Sequence, residues 1–275
     1  MRIVILCSSV YSETACAMAV RLAEAAHVPA GALALSTLNR GTLLRKLSQL
    51  GVREVGRYAR AKLIPQPGEG LAEVQNPYLR PLLKHKDGVF RSVREVAKVY
   101  GFPVAVCDNQ NSPRAIAQLR RWSPDLIVFT GGNILRKPLL QVPRLGVVNV
   151  HLALLPDVRG MSSPEWSLLK HVPVGITIHS IDAGIDTGPI FQRYEFPDVA
   201  ACQSLSDLRN RLIAFGVQKI AEVVNALERG TISAMPQSDL HEDRQFFVMH
   251  EWLRGRATEI LTKNRMAAGS ETVHG

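Results

Sequence analysis

The chain has 275 residues, a hydrophobic fraction of 46% and a formal net charge of +9. Its length allows one large domain with a small appendage. No apolar run is long enough to span a bilayer, and the first residues do not form a signal peptide. These features argue against a transmembrane or secreted protein, and a cytoplasmic location is expected.

Strand-like and helical segments alternate through the first 130 residues. Ser12 and Ser112 stand at helix N-cap positions, and Pro113 follows at the first helical position. Such alternation predicts an α/β fold, Rossmann-like, with a mostly parallel, partly mixed sheet flanked by helices. The predicted strands are 3–7, 31–36, 103–108 and 125–131, and the predicted helices are 12–27, 91–101, 112–122 and 134–142.

The basic excess is concentrated in residues 40–62, which carry seven Lys or Arg residues against the single acid Glu54. The apolar residues between them recur at roughly helical spacing. Such a helix either is a solvated face or contacts an anionic ligand, membrane surface or nucleic acid. The basic residues are Arg40, Arg45, Lys46, Arg53, Arg57, Arg60 and Lys62.

After residue 149 the pattern changes to antiparallel strands at 174–182 and 189–196, followed by a long helix at 204–230. Residues 236–275 are expected to form a helical extension and a loose tail, and residues 1–235 a single domain. Phe246, Phe247 and Trp252 in the extension could bury against a second copy in a homodimer.

Common cofactor and metal motifs are absent from the sequence. The first strand is followed by 7-CSSVYSET-14, which matches neither the dinucleotide-binding glycine pattern nor a P-loop. The cysteines are scattered without metal-ligand spacing, so we expect no metal and inert thiols in a reducing compartment.

The segment 146-GVVNVHLALLPDVRG-160 places Asn149 and His151 on one face of a strand. An Asn amide can stabilise a developing oxyanion, and a His ring can pass a proton near neutral pH. The glycine-rich loop 182-DAGIDTG-188 offers Asp182 and Asp186 as the carboxylate that would hold the ring. His179 lies on the strand that enters this loop.

These motifs resemble those of the folate-dependent formyltransferases, the family of methionyl-tRNA, glycinamide ribonucleotide and sugar N-formyltransferases. The similarity is strongest over residues 131–196, in 131-GGNILRKPLLQVPRLGVVNVH-151 and 175-GITIHSIDAGIDTGPI-190. It implies an enzyme that moves a formyl group from 10-formyltetrahydrofolate to a primary amine by direct attack, through a tetrahedral intermediate.

By this resemblance Asn149 stabilises the oxyanion, His151 contacts it and transfers a proton, and Asp186 orients His151. His179 supports the site from behind. The resemblance also places the donor's pteridine against backbone in two segments, and the donor's glutamyl tail towards basic surface. The residues of these two segments are Asn133, Ile134, Leu135, Ala183, Gly184, Ile185 and Asp186.

The sequence departs from the family at three places. Ala153 stands where the family often has Ser, the phosphate loop of the glycinamide ribonucleotide enzymes is not reproduced, and only about forty residues follow Gly230. We therefore expect a small amine acceptor: an amino sugar, an amino acid or another metabolite, with an anionic carrier as one option. tRNA is not expected as a partner. Two alternatives stay open, a 10-formyltetrahydrofolate hydrolase and a non-catalytic folate-binding protein.

Overall fold

The computed structural model describes residues 1–36, 75–86, 88–238 and 244–271, with side chains up to residue 267. The chain forms two compact units, Met1–Gly146 and Val147–Gly275. The basic segment 40–62 lies outside the described residues. The domain boundary expected at residue 235 stays a prediction.

A parallel sheet forms the core of the first unit, with strand order β6-β1-β2-β5. Every residue of β1 is buried, because this central strand has neighbours on both edges and helices against its faces. A two-stranded antiparallel hairpin, β3-β4, lies outside this sheet. The strands are β1 (Ile3–Cys7), β2 (Gly31–Leu35), β3 (Lys84–His85), β4 (Gly88–Val89), β5 (Val104–Cys107) and β6 (Leu126–Phe129).

The longer helices of the first unit begin where serine side chains accept backbone N–H groups, at Ser12, Ser92 and Ser112. Gly31 allows the ring of Trp122 to pack on β2, since a Cβ atom there would lie 2.7 Å from the indole. The helices are α1 (Glu13–Glu24), α2 (Arg80–Leu83), α3 (Val93–Tyr100), α4 (Pro113–Trp122) and α5 (Lys137–Leu140).

The second unit is built on the antiparallel strands β7, β9 and β10, in that order. A separate pair of two-residue strands, β8 and β11, is parallel and joins residues far apart in the sequence. The strands are β7 (Val147–His151), β8 (Arg159–Gly160), β9 (Gly175–Ser180), β10 (Ile190–Glu195) and β11 (Gln245–Phe246).

The long helix of the second unit packs on β9, and the C-terminal helix adds Ala257 and Leu261 to the same apolar cluster. The C-terminal helix continues to Glu271, within the region 236–275 where a helical extension was predicted. The helices are α6 (Ser163–Leu169), a 3-10 turn (Val199–Ala201), α7 (Leu205–Glu228) and α8 (Glu251–Glu271).

Parallel strands in the first unit, antiparallel strands in the second and helices against both confirm the predicted α/β class. Within the described residues, none of the helices combines the length and the apolar character that a membrane crossing requires. All four cysteines are free thiols. Burial raises the pKa of Cys7 to about 12 and that of Cys107 and Cys202 to about 11, and it also raises the pKa of Cys16.

Candidate functional site

Strands β7 and β9 bring four polar side chains to one face of the second unit. In the antiparallel register Asn149 lies opposite His179, and His151 lies opposite Thr177. Directly opposed residues point to the same side of a sheet, so the four side chains are neighbours. His151, Thr177 and His179 are buried, which makes their hydrogen bonds important to the stability of the unit.

His179 holds the amide of Asn149 in one orientation. The Nδ1–H of His179 donates to the carbonyl of Ser180 at 2.9 Å, so its Nε2 must act as an acceptor. The Nδ2 of Asn149 lies 3.3 Å from this nitrogen and donates to it. Burial and, to a smaller extent, the charge of His151 lower the pKa of His179 to about 4. His179 is therefore neutral near neutral pH, which keeps Nε2 available as the acceptor.

The two ring nitrogens of His151 have different partners. Nε2 donates to the carbonyl oxygen of Val158 at 2.8 Å. Nδ1 lies 3.4 Å from Oδ2 of Asp186, a contact longer than an ordinary hydrogen bond. The carbonyl thus fixes the ring, while Nδ1 faces a carboxylate and is the nitrogen that a further group could share.

The two acids of the loop 182–188 have separate environments. Asp182 accepts hydrogen bonds from the N–H of Gly184 and the hydroxyl of Thr187, so it closes the turn. Asp186 instead directs its Oδ2 to His151 and accepts from the N–H of Gly160 at 2.8 Å, with Oδ1 3.6 Å from Nε2 of His179. The loop therefore places only Asp186 against the histidines.

The loop between β7 and β8 is tied to β9 through the hydroxyl of Thr177. This hydroxyl donates to the carbonyl of Ala153 at 2.7 Å and accepts from the N–H of Leu155 at 2.9 Å. Ala153 is completely buried, so a side-chain hydroxyl at this position would need a partner of its own. The departure from the family's Ser is thus compatible with the local packing.

The predicted donor-contact segment of the first unit, residues 133–135, is supported by two amide side chains. Gln110 is completely buried. Its side-chain Oε1 accepts from the backbone N–H of Asn133, and its backbone N–H donates to the side-chain Oδ1 of Asn133, each at 3.0 Å. Asn111 donates to the carbonyl of Ile134 at 2.9 Å and accepts from the N–H of Arg136 at 2.8 Å. These bonds fix the backbone of the segment.

Two isoleucines in the predicted donor-contact segments are exposed. Ile134 is 84% accessible in the first unit, whereas Leu135 is buried. Ile185 is 47% accessible in the second unit, and its neighbours Ala183 and Gly184 are also exposed. Single exposed aliphatic side chains are common on protein surfaces, so their exposure is compatible with ligand contact without indicating it.

The sequence patterns did not predict the hydrogen bonds that Val158, Gly160 and Gln237 make in this site. Val158 and Gly160 act through backbone groups, which the identity of the residue does not reveal. Gln237 donates to the carbonyls of Asp186 and Gly188, although it lies outside the quoted motifs. Among the residues that the structure describes, no group of three or more His, Cys, Asp or Glu side chains could hold a metal ion.

The fold and this cluster define the class of protein: an α/β protein with two buried His and a partly buried Asn on one strand face, and an Asp that a loop brings against the histidines. A family profile described as formyl transferase matches residues 83–224, more than half of the chain. The chain therefore belongs to the formyl transferase family. The family inferred from the sequence is confirmed.

The curated relatives include a methionyl-tRNA formyltransferase from Geobacter metallireducens, 33% identical over 180 residues. The match covers 65% of this chain and 57% of that protein, so the chain spans little more than half the length of this relative.

Solved structures with the same fold include glycinamide ribonucleotide transformylase 1 from Symbiobacterium toebii, with a TM-score of 0.55, 19% identity and coverage of 91% of this chain and 94% of that one. A sugar N-formyltransferase from a Shewanella species has a TM-score of 0.57 at 13% identity, with coverage of 95% and 87%. At such low identity these two structures establish the fold alone.

One prediction about partners is wrong. The sequence patterns led us not to expect tRNA, mainly because few residues follow Gly230. The relative from Geobacter metallireducens is named for methionyl-tRNA, and further relatives of the same name match at 35% and 33% identity. A chain that covers only part of such proteins gives no basis for excluding their partner.

Proposed function

We propose that this protein transfers a formyl group from 10-formyltetrahydrofolate to a primary amine. The observation that carries the proposal is the buried His151, which lies 3.4 Å from Asp186 on a face that also presents Asn149. The amine nitrogen would bond to the formyl carbon, the bond from that carbon to N10 of the folate would break, and tetrahydrofolate would leave with a proton on N10. The chain would supply the groups that hold the oxygen and move the proton.

Asn149 would stabilise the negative charge that develops on the formyl oxygen. Its amide nitrogen has two N–H donors, and one of them is directed to Nε2 of His179. The second N–H does not point to His179, and the first hydrogen bond already fixes its orientation. A hydrogen-bond donor that is oriented before the reaction contributes more to catalysis than one that must reorient.

His151 and Asp186 would take up the proton of the attacking amine. The Val158 carbonyl occupies Nε2 of His151, so proton transfer would use Nδ1, on the side of the Asp186 carboxylate. Because this contact is longer than a hydrogen bond, a water molecule or the amine itself could share it. No covalent bond to the chain is required.

The resemblance assigns donor contacts to residues 183–186 of the second unit and to residues 133–135 of the first. Within the second unit Ile185 is exposed; within the first, Ile134 is exposed and the hydrogen bonds of Gln110 and Asn111 hold the backbone of residues 133–135. These features fit a folate donor. The net charge of +9 favours its anionic glutamyl tail.

The acceptor class follows from the chemistry of the site and the names of the relatives. Transfer to nitrogen requires a primary amine. An aminoacyl-tRNA, an amino sugar, an amino acid or another small metabolite can provide one. Methionyl-tRNA is the first acceptor to test, because the curated relatives at 30% identity or more carry that name. A cytoplasmic location, where such acceptors and folates occur, is part of the proposal.

The test is a folate absorbance assay with 10-formyltetrahydrofolate, in the presence and absence of methionyl-tRNA, nucleotide-linked amino sugars and amino acids. Tetrahydrofolate release that requires an amine supports transfer. Release without any amine would assign the chain as a hydrolase instead. Tight donor binding without turnover would make it a folate-binding protein.

Variants of the site extend this test. We expect His151→Ala and Asp186→Asn each to lower kcat by about 100-fold or more, since general acid–base groups contribute roughly 10²–10⁴. Asp125→Asn is the matched control: it removes a carboxylate that accepts hydrogen bonds from Arg2 and Arg144 in the first unit. Activity retained in His151→Ala would contradict the assignment of the site.

A further inference from the structure

The short segment 235–237, which follows α7, is hydrogen-bonded to the loop that carries Asp186. Ile190 and Met235 form an antiparallel bridge in which each N–H donates to the other carbonyl at 2.8 Å. Two residues further on, Nε2 of Gln237 donates to the carbonyl of Asp186 at 2.9 Å and to that of Gly188 at 2.6 Å. Four hydrogen bonds therefore connect this segment to the loop and the start of β10.

The loop needs such support because Asp186 has a backbone φ of +53°. Asp adopts this left-handed conformation more readily than most residues but less readily than glycine, so surrounding contacts help to maintain it. The next glycine of the loop is equally constrained, since a Cβ atom on Gly188 would lie 1.8 Å from the carbonyl oxygen of Ser180. The direction of the Asp186 carboxylate depends on this backbone.

The donor end of the Gln237 amide makes these contacts. Its Nε2 contacts two carbonyl oxygens, whereas its buried Oε1 has no hydrogen-bond partner in the part of the chain that the structure describes. A buried acceptor without a partner costs stability, so the amide is not placed to satisfy its own polar groups. A glutamate here would set carboxylate oxygens against two carbonyls.

We propose that Gln237 is a positioning residue for catalysis. It holds the backbone of Asp186 so that the carboxylate lies against His151 and accepts from the N–H of Gly160. This inference rests on the proposed formyl transfer and adds to it a residue from outside the motifs. Gln237 touches neither reacting group, and its effect is on the geometry of the His151–Asp186 pair.

The kinetic test compares Gln237→Leu, Gln237→Glu and the control Gln192→Leu. Gln192 is an exposed residue of β10 whose side chain donates to the carbonyl of Arg193. We expect both Gln237 variants to lose kcat on the order of 10- to 100-fold, because small displacements of catalytic groups have effects of this size. KM for the amine should change less than about threefold in each, and the control should match wild type.

The pH profile separates positioning from general stabilisation. In Gln237→Glu the ionised carboxylate repels two carbonyls, whereas the protonated acid can donate to one of them. The deficit in kcat relative to wild type should therefore shrink several-fold from pH 8 to pH 5.5. The deficit of Gln237→Leu should show no such trend, since leucine does not titrate.

A measurement on the free protein distinguishes this inference from the proposed function. The ring Cε1–H signal of His151 is assigned by its absence in His151→Ala and followed by NMR through a pH titration. A shifted titration in both Gln237 variants, with Gln192→Leu unchanged, supports positioning even if wild type turns over no acceptor. A kcat within twofold of wild type, or a lower melting temperature with an unchanged His151 titration, would overturn the proposal.

Discussion

At the scale of single residues, the site depends on one histidine being neutral. Nε2 of His179 accepts from Asn149 only while it lacks a proton. Burial keeps it so, because the pKa of His179 is lowered from 6.5 to about 4. The amide that would bind the oxyanion is therefore oriented by a group that does not itself take part in proton transfer.

The lowered pKa of His179 predicts a pH-dependent stability. Between about pH 6.5 and pH 4 the unfolded chain binds a proton at this residue that the folded chain excludes. The free energy of unfolding should fall as pH decreases through this window, by on the order of 3 kcal/mol at most, and the loss should level off below it. Urea denaturation at several pH values measures the effect.

The variant for this prediction is His179→Gln, which does not titrate and can still donate to Ser180 and accept from Asn149. We expect its free energy of unfolding to depend less on pH than that of wild type between pH 6.5 and 4. His250→Gln, a change at an exposed histidine, serves as the control. Parallel pH curves for His179→Gln and wild type would refute the assigned cause.

Residue spacing was enough to place Asn149 and His151 together, because side chains alternate along a strand. It could not decide between Asp182 and Asp186. That choice depends on the left-handed backbone of Asp186 and on a hydrogen bond from Gly160, 26 residues away in sequence. Neither the backbone conformation nor the distant partner has a signature in the loop itself.

At the scale of elements, α7 and β7 meet at a glycine. A Cβ atom on Gly216 would lie 2.5 Å from Cγ1 of Val150, the residue between Asn149 and His151. The absence of a side chain on the helix therefore sets how closely it approaches the strand that carries the site. Packing on one face of β7 thus determines the position of the polar groups on the other.

We expect Gly216→Ala to displace Val150, to destabilise the protein by about 1–3 kcal/mol and to lower kcat. The matched control is Gly255→Ala in α8, where a Cβ atom meets nothing within 4 Å. Because alanine is the better helix former, the control should gain about 0.5–1 kcal/mol. Thermal denaturation measures the stability of each variant, and the release assay measures its kcat. Equal stability of the two variants would show that the close approach of Gly216 to Val150 does not matter.

The longer elements were predictable because their ends carry local signals. Ser12, Ser92, Ser112 and Ser204 all cap helices in the structure, and Gly101 ends α3 in a left-handed conformation. The β8–β11 pair was not predictable, since two-residue strands 86 positions apart leave no periodic pattern. Pairing over such a distance is decided by tertiary packing.

At the scale of the whole molecule, the excess of positive charge bears on the acceptor. The formal net charge is +9, with 33 basic and 24 acidic residues. Charge alone selects no ligand. The same positive charge is compatible with a small anionic carrier and with tRNA, so it could not correct the wrong exclusion of tRNA. A polyanion, however, responds to salt in a way that a small amine does not.

If methionyl-tRNA is the acceptor, its KM should rise steeply with salt while kcat stays nearly constant. Each phosphate contact contributes a slope of about 0.9 in log KM against log salt concentration for a duplex, through counterion release. Steady-state rates between about 50 and 200 mM KCl give the slope, with an amino sugar that carries no phosphate as the control. A slope near zero for the tRNA would exclude recognition through its phosphates.

The raised thiol pKa values have a practical consequence for chemical labelling, although Cys107 is only partly buried. Alkylating reagents attack the thiolate, and a thiol with a pKa of about 11 or more is almost entirely protonated at pH 7.5. The native cysteines therefore give a low background. A single cysteine introduced at the exposed position of Ile134 would be the fast-reacting thiol, and its protection by a folate would report occupancy of that segment without any turnover.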